Sequence, residues 1–263
     1  MITAIDLESP FLDFQKRIKH LRAIMVAIEV SAKTPLPSTP HRADVDLSII
    51  GLTTSNTTNS MCIVFLASSF EEFFREEITQ CGNYIASKYS SISEDIRIAL
   101  RGSYWQICIE RLRLSQNIIT KNKPRSIDLK VVTEARSILE SATGFPIGND
   151  ATTINGAYFP HHSRNFRPHV VEEIAARIGL SNLLQRVSDS NRLRAHFGVT
   201  KKAEVEPKLR AKLESFYITR NDIVHSLNSS TGYGVDYVFD YMEFLEIFAE
   251  SVKNTLHRHV SSW

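Results

Sequence analysis

The sequence predicts an all-α protein. Three observations carry that prediction: apolar residues recur at steps of three and four along most of the chain, alternating apolar and polar runs are scarce, and glycine is low, 10 in 263 residues.

Phe11, Phe14, Ile18, Leu21, Met25 and Ile28 set a first helix from about Pro10 to Ser31. Proline suits a first turn, where its missing N–H costs no hydrogen bond. Pro35, Pro37 and Pro40 end that helix, and the polar run Thr53 to Thr58 reads as loop. A long second helix is therefore expected from a cap at Asn59 or Ser60 to about Lys88. Its buried stripe is Ile63, Leu66, Phe70, Phe73, Phe74, Ile78, Cys81 and Ile85. A third helix is expected from Glu94 to about Ile119, with a break at Gly102, and a fourth over Lys130 to Ser141. Gly144 to Pro168 is rich in Gly, Pro, Asn, Thr and aromatic residues, so little regular structure or a short strand pair is expected there. Helix resumes after Pro168 through Leu180, with a short piece from Leu183 to Val187. Another begins near Glu206 and Pro207, and Gly232-Tyr233-Gly234 turns the chain into the last one. There Val235, Val238, Met242, Leu245, Ala249, Val252 and Leu256 make a seam. The chain reads as a single domain, residues 1–263, with 121–168 an irregular insertion between the second helix and the one after Pro207.

Composition excludes several classes of function. With 31 basic and 29 acidic residues the net charge is +2, so bulk electrostatics cannot coat a nucleic acid and any RNA contact must be local. Cys62, Cys81 and Cys108 lie in apolar helical stretches without C-x-x-C spacing, which predicts reduced, packed thiols and a cytoplasmic setting. The longest apolar run, Met61 to Ala67, is far short of the roughly 20 residues that span a bilayer, so no membrane role is expected. The amino terminus lacks a basic region followed by an apolar one and predicts no secretory signal.

Chemistry concentrates in Arg220-Asn221-Asp222-Ile223-Val224-His225. Arginine keeps its charge and offers a planar fork of donors that fits phosphate oxygens, while histidine exchanges a proton near neutrality. Leu209, Leu213, Phe216, Arg220, Ile223 and Leu227 share one helical face, so Arg220 sits in an apolar stripe and needs a partner, either a carboxylate or a ligand phosphate. His225 lies five residues on, about 140° around a regular helix from Arg220. Asn221 and His225, four apart, share a face. Either the helix breaks within the motif, or two copies meet about a two-fold axis and pool these side chains.

These residues resemble the HEPN superfamily, most closely its RiboL-PSP-HEPN branch. Arg220 through His225 fit the R-x4-6-H pattern with a polar residue after the arginine; Ala67 to Glu77 looks like the branch's second helix, and Asn165-Phe166-Arg167-Pro168 through Ile178-Gly179-Leu180 like its central segment. The resemblance implies a HEPN-like helical bundle that dimerises and a metal-independent endoribonuclease without cofactor, its site composed from both protomers. By that resemblance His225 would take the ribose 2′-hydroxyl proton or protonate the leaving 5′-oxygen. Arg220 would stabilise the phosphorane oxygens and Asn221 would orient the phosphate or the imidazole. Products would be a 2′,3′-cyclic phosphate and a 5′-hydroxyl. Asp222, Tyr233, Arg192 and Arg194 are expected to contact the RNA substrate, Tyr233 by stacking on a base. The implied setting is a toxin–antitoxin or antiphage effector, restrained by an antitoxin or defence-system partner protein.

Blander readings stand beside these. Arg220 as a core arginine would pair with Glu71, Glu72 or Glu76, and His225 would bond a backbone carbonyl. Glu71-Glu72 and Glu76-Glu77 read mainly as a solvated face rather than a metal site, and His161, His162 and His169 as surface loop histidines. His257 and His259 read as partly exposed side chains at a helix end, and Arg192, Arg194, Lys201 and Lys202 as a solvated basic loop. The alternative function is a catalytically inactive HEPN module that binds RNA or a protein partner through its dimer surface.

Overall fold

The computed structural model describes residues 5–34, 50–121, 129–225 and 232–262, with the backbone alone described for 114–121. Within them every regular element is helical: α1 (Glu8–Lys33), α2 (Leu52–Lys88), α3 (Glu94–Lys121), α4 (Leu129–Ala142), α5 (Pro168–Arg177), α6 (Leu183–Val187), α7 (Asn191–His196), α8 (Val205–His225) and α9 (Val235–Val260). The three prolines after α1 and the stretch 122–128 lie outside the described residues.

Two expectations about boundaries are corrected. α2 begins at Leu52, not at Asn59 or Ser60, because the polar run bonds to the helix itself. Thr57 Oγ1 donates to Thr53 O and Thr58 Oγ1 to Thr54 O, each at 2.9 Å, and Ser60 Oγ donates to Asn56 O at 3.0 Å. Asn59 caps nothing; it is buried and donates its side-chain amide to Tyr233 O at 2.8 Å. α3 runs without a break through Gly102, where an added Cβ would meet nothing within 4 Å. Gly144 to Pro168 holds single helical turns at Thr143–Ile147, Ala151–Thr153 and Gly156–Tyr158 and, among the described residues, no strand pair.

The chain divides into two compact units, the boundary falling within α2 after Phe73 and within α9 after Ser251. One unit comprises Met1–Glu8, Phe74–Arg186 and Val252–Trp263. At its centre Tyr104 of α3 lies edge-on to Phe145, with ring centroids 5.2 Å apart. Its hydroxyl pairs with Ser141 Oγ at 2.6 Å and accepts from Asn155 N at 2.8 Å, so the buried phenol is satisfied. Gly82 and Gly156 let α2 and the turn at 156–158 touch: a Cβ on Gly156 would stand 2.6 Å from Thr79 O. Pro168 opens α5, and Gly179 closes it with φ +77°, a conformation that suits glycine. The carboxylate of Glu172 caps α6, accepting from Leu183 N at 2.7 Å and Leu184 N at 3.1 Å. Cys62 in the other unit and Cys81 and Cys108 in this one are free and buried, and burial raises all three thiol pKa values, that of Cys108 to about 12.

The other unit comprises Ser9–Phe73 and Val187–Ser251. Its core is an aromatic column in which Phe14 stacks on Phe73 at 5.4 Å and Phe70 stacks on Phe248 at 5.5 Å. Around the column Gln15 donates to Glu246 at 2.9 Å, and Arg17 pairs with Glu72. No helix among the described residues is long and apolar enough to cross a membrane.

Candidate active site

α8 is fixed by one apolar face. Val205, Leu209, Leu213, Phe216, Tyr217 and Thr219 are buried, and Phe216 packs on Tyr241 of α9 with ring centroids 5.1 Å apart. The helix stays unbroken through His225. Arg220 and His225 of one chain therefore diverge by about 140°, and a break inside the motif is absent. Leu227, expected to continue the stripe, lies outside the described residues.

Arg220 is half-buried, not sealed in the core. Its Nη1 donates to Asn221 Oδ1 at 3.1 Å, while its Nε is buried without a hydrogen-bond partner among the described residues. No carboxylate lies within ion-pair distance of it among those residues, so the pairing that the blander alternative required, with Glu71, Glu72 or Glu76, is not made; Glu72 is engaged by Arg17. Asp222 and His225 are exposed, and Asn221 is half-buried. The arrangement offers a guanidinium braced by an amide, with an exposed imidazole in the last turn of the helix.

Behind the motif stands a ladder of three tyrosines. Tyr233 stacks on Tyr237 at 5.2 Å with an interplanar angle of 21°, and Tyr237 meets Tyr241 edge-on at 5.1 Å. Thr219, the residue before Arg220, pairs through its hydroxyl with Tyr237 Oη at 3.1 Å, and Ser215 pairs with Tyr241 Oη at 3.0 Å. Asn59 anchors the Tyr233 carbonyl, and Asn56 fills the space a Cβ on Gly232 would need, the nearest atom 2.2 Å away. Burial raises the Tyr233 phenol, with Tyr237 and Asp222 adding to it. Tyr237 and Tyr241 are not singled out by the motif itself, although the four-residue spacing of Tyr233, Tyr237 and Tyr241 is a readable signal of a shared helical face.

Arg192 and Arg194 lie on α7. Arg192 pairs with Glu250, and Arg194 Nη2 donates to Asn191 Oδ1. Lys202 pairs with Asp189 at 2.6 Å. His161 and His162 are half-buried, not surface side chains, because arginines and glutamates surround them. His259 is held at 3.1 Å from Ile178 O, while His257 is exposed. Among the described residues no group of three or more His, Cys, Asp or Glu is arranged to hold a metal ion.

The family model described as RiboL-PSP-HEPN matches residues 13–258, a span that covers most of both compact units and the whole of Arg220 to His225. Neither a curated protein nor a solved structure matches the chain.

Proposed function

We propose, from the premise that this chain belongs to the RiboL-PSP-HEPN family, that it is a metal-independent endoribonuclease whose active site is assembled from two copies. The observation that carries the proposal is the state of Arg220: half-buried, braced by Asn221, and without a carboxylate partner among the described residues. A guanidinium held in that way is disposed to take a phosphate. His225 then takes the 2′-hydroxyl proton and returns a proton to the departing 5′-oxygen. The 2′-oxygen attacks the adjacent phosphorus, Arg220 balances the charge on the non-bridging oxygens, and the 5′-oxygen leaves. The ends are a 2′,3′-cyclic phosphate and a 5′-hydroxyl.

The unbroken α8 supports the two-copy site. One chain points Arg220 and His225 about 140° apart, so a single protomer does not close both on one phosphodiester, whereas a two-fold axis supplies the second set. Asp222 and Tyr233 flank the strand, with Tyr233 on its tyrosine stack as a base platform. Arg192 and Arg194 act as outer phosphate contacts once RNA competes for their present partners. The setting in keeping with this chemistry is a cytoplasmic toxin–antitoxin or antiphage effector restrained by a partner protein. The same divergence of Arg220 and His225 favours, as the second reading, an inactive module that binds RNA or protein through its dimer surface.

Purified protein with single-stranded RNA in excess chelator tests the proposal. Cleavage to cyclic-phosphate ends is expected, and His225→Ala should lower the rate at least about 100-fold. Intact RNA with the unaltered protein, or cleavage undiminished in His225→Ala, contradicts it.

A further inference from the structure

The unit built from Phe74–Arg186 and the chain termini holds a second polar concavity, a cleft of about 300 Å³ lined by Glu110, Arg113, His161, His162, Ser163, Arg164 and Glu173. Two further arginines, Arg177 and Arg111, bind residues of its lining. Arg177, 7% exposed, donates Nη1 to Phe159 O at 3.2 Å and to His161 O, and Nη2 to Glu173 Oε1 at 2.9 Å; Glu110 Oε2 is 3.5 Å away. Arg111 lies over the Tyr158 ring at 4.6 Å, pairs with Glu134, and points Nη1 at His161 Nδ1 from 3.3 Å. Both guanidiniums are thus committed, and they hold the wall carboxylates in place.

What these pairings leave over is donors. Arg113 and Arg164 are exposed and have no ion pair among the described residues. Arg164 N donates to His162 Nδ1 at 3.0 Å, and His162 Nε2 lies 3.4 Å from Glu173 Oε2. Burial first, then the Arg111 and Arg177 guanidiniums, hold His161 down to about 4, so at neutral pH its ring is uncharged with Nδ1 facing Arg111 and an N–H on Nε2. Ser163 adds a hydroxyl. Four guanidiniums against Glu110, Glu134 and Glu173 leave one positive charge, and the guanidiniums of Arg113 and Arg164 belong to the exposed lining. Multiple N–H and O–H donors around a cationic surplus match an anion with several oxygens.

We propose that this cleft binds a phosphate group through Arg113 and Arg164, and that the phosphate belongs to the backbone of an RNA strand. The second clause rests on the nuclease reading, and the first does not. The segment 160–164 is thereby an RNA contact on a unit that does not contain Arg220.

The test uses the full chain in two arms. In the first, inorganic phosphate is titrated while the His161 and His162 ring protons are followed by NMR; saturable shifts are expected, and Arg113→Ala/Arg164→Ala should abolish them. In the second, a fluorescent single-stranded RNA is titrated into the His225→Ala protein with and without the double substitution. Binding should weaken about tenfold, the salt slope should fall by about 0.7 for one lost phosphate contact, and Arg113→Lys/Arg164→Lys should restore most of the loss. Ring signals indifferent to phosphate overturn the site. Phosphate shifts with unchanged RNA affinity overturn the RNA source and leave a free phosphate ester as ligand. RNA cleavage that requires His225 but ignores Arg113 and Arg164 overturns the RNA source and spares the nuclease; phosphate binding by a protein that cuts no RNA spares the phosphate site and overturns the nuclease.

Discussion

At the scale of the residue, Arg220 differs from Arg22, Arg97 and Arg111, whose Nε atoms are likewise buried without a partner, in having no carboxylate within ion-pair distance among the described residues. Its fork touches Asn221 at 3.1 Å, yet its Nε is shut from water with nothing described to receive its proton. A buried unsatisfied donor costs about 1–3 kcal/mol, so the protein tolerates a cost at this position that a bound phosphate would lift. Arg220→Ala is therefore predicted to abolish cleavage while leaving the thermal midpoint unchanged or raised, and a calorimetric scan beside a cleavage assay reads both. A lowered midpoint with cleavage retained would identify Arg220 as structural. Tyr237→Phe removes the bond to Thr219 at 3.1 Å and the one to Tyr241 at 3.4 Å while keeping the ring stack, and should cost about 1 kcal/mol in chemical denaturation. Tyr237→Ala removes the stack as well and should weaken RNA binding, which Tyr237→Phe should not.

At the scale of the element, α2 shows what periodicity discloses and what it hides. Every member of its predicted stripe, from Ile63 through Ile85, is buried. Its first turns were illegible because Thr53 to Thr58 have side chains equally suited to a loop; their hydroxyls bonded to carbonyls of the preceding turn make the difference. Glu77 escaped the same reading. It counted as part of a solvated face, yet it has no exposed surface, and neither carboxyl oxygen has a partner among the described residues. Burial, opposed by Lys253 and reinforced by Asp6, Glu8 and Glu76, pushes its carboxyl up to about 9, from an ordinary 4.5. The folded pKa exceeds the unfolded one, so the folded state is favoured below about pH 4.5 and loses stability as pH climbs toward 9. The loss is at most about 1.4 kcal/mol per pH unit. Glu77→Gln should flatten that decline between pH 5 and 8.5 in urea titrations, and a slope unchanged by the substitution would show that Glu77 is ionised when folded. On the same helix, Gly82 faces Gly156 so closely that Gly156→Ala would set a methyl 2.3 Å from Asn83 Oδ1 and 2.6 Å from Thr79 O. The substitution should cost about 1–3 kcal/mol of stability, read from the denaturation midpoint.

At the scale of the whole molecule, helical class and family are both legible in the sequence, because each rests on patterns local to the chain. The spacing of three and four gives the helices, and the order of motif residues gives the family match over 13–258. The site is legible only in part. Arg220, Asn221 and His225 announce themselves by residue type within six consecutive positions, whereas the cleft at 161–164 depends on Arg111, Arg113 and Arg177, distant in sequence and recognisable only once α3 and α5 are folded. Periodicity alone could not decide whether the motif helix breaks. The unbroken α8 decides it, and with it the proposed nuclease becomes a question about two chains rather than one. In the proposed nuclease a guanidinium from one protomer and an imidazole from the other act on one phosphodiester. Complementation measures this: Arg220→Ala and His225→Ala proteins, each inactive alone, are unfolded together, refolded at equal concentration and assayed on RNA in chelator. Half the dimers should then be mixed, each with one complete site, giving about a quarter of the unaltered activity. Mixed dimers present in solution with no cleavage above either parent would contradict a site shared between copies.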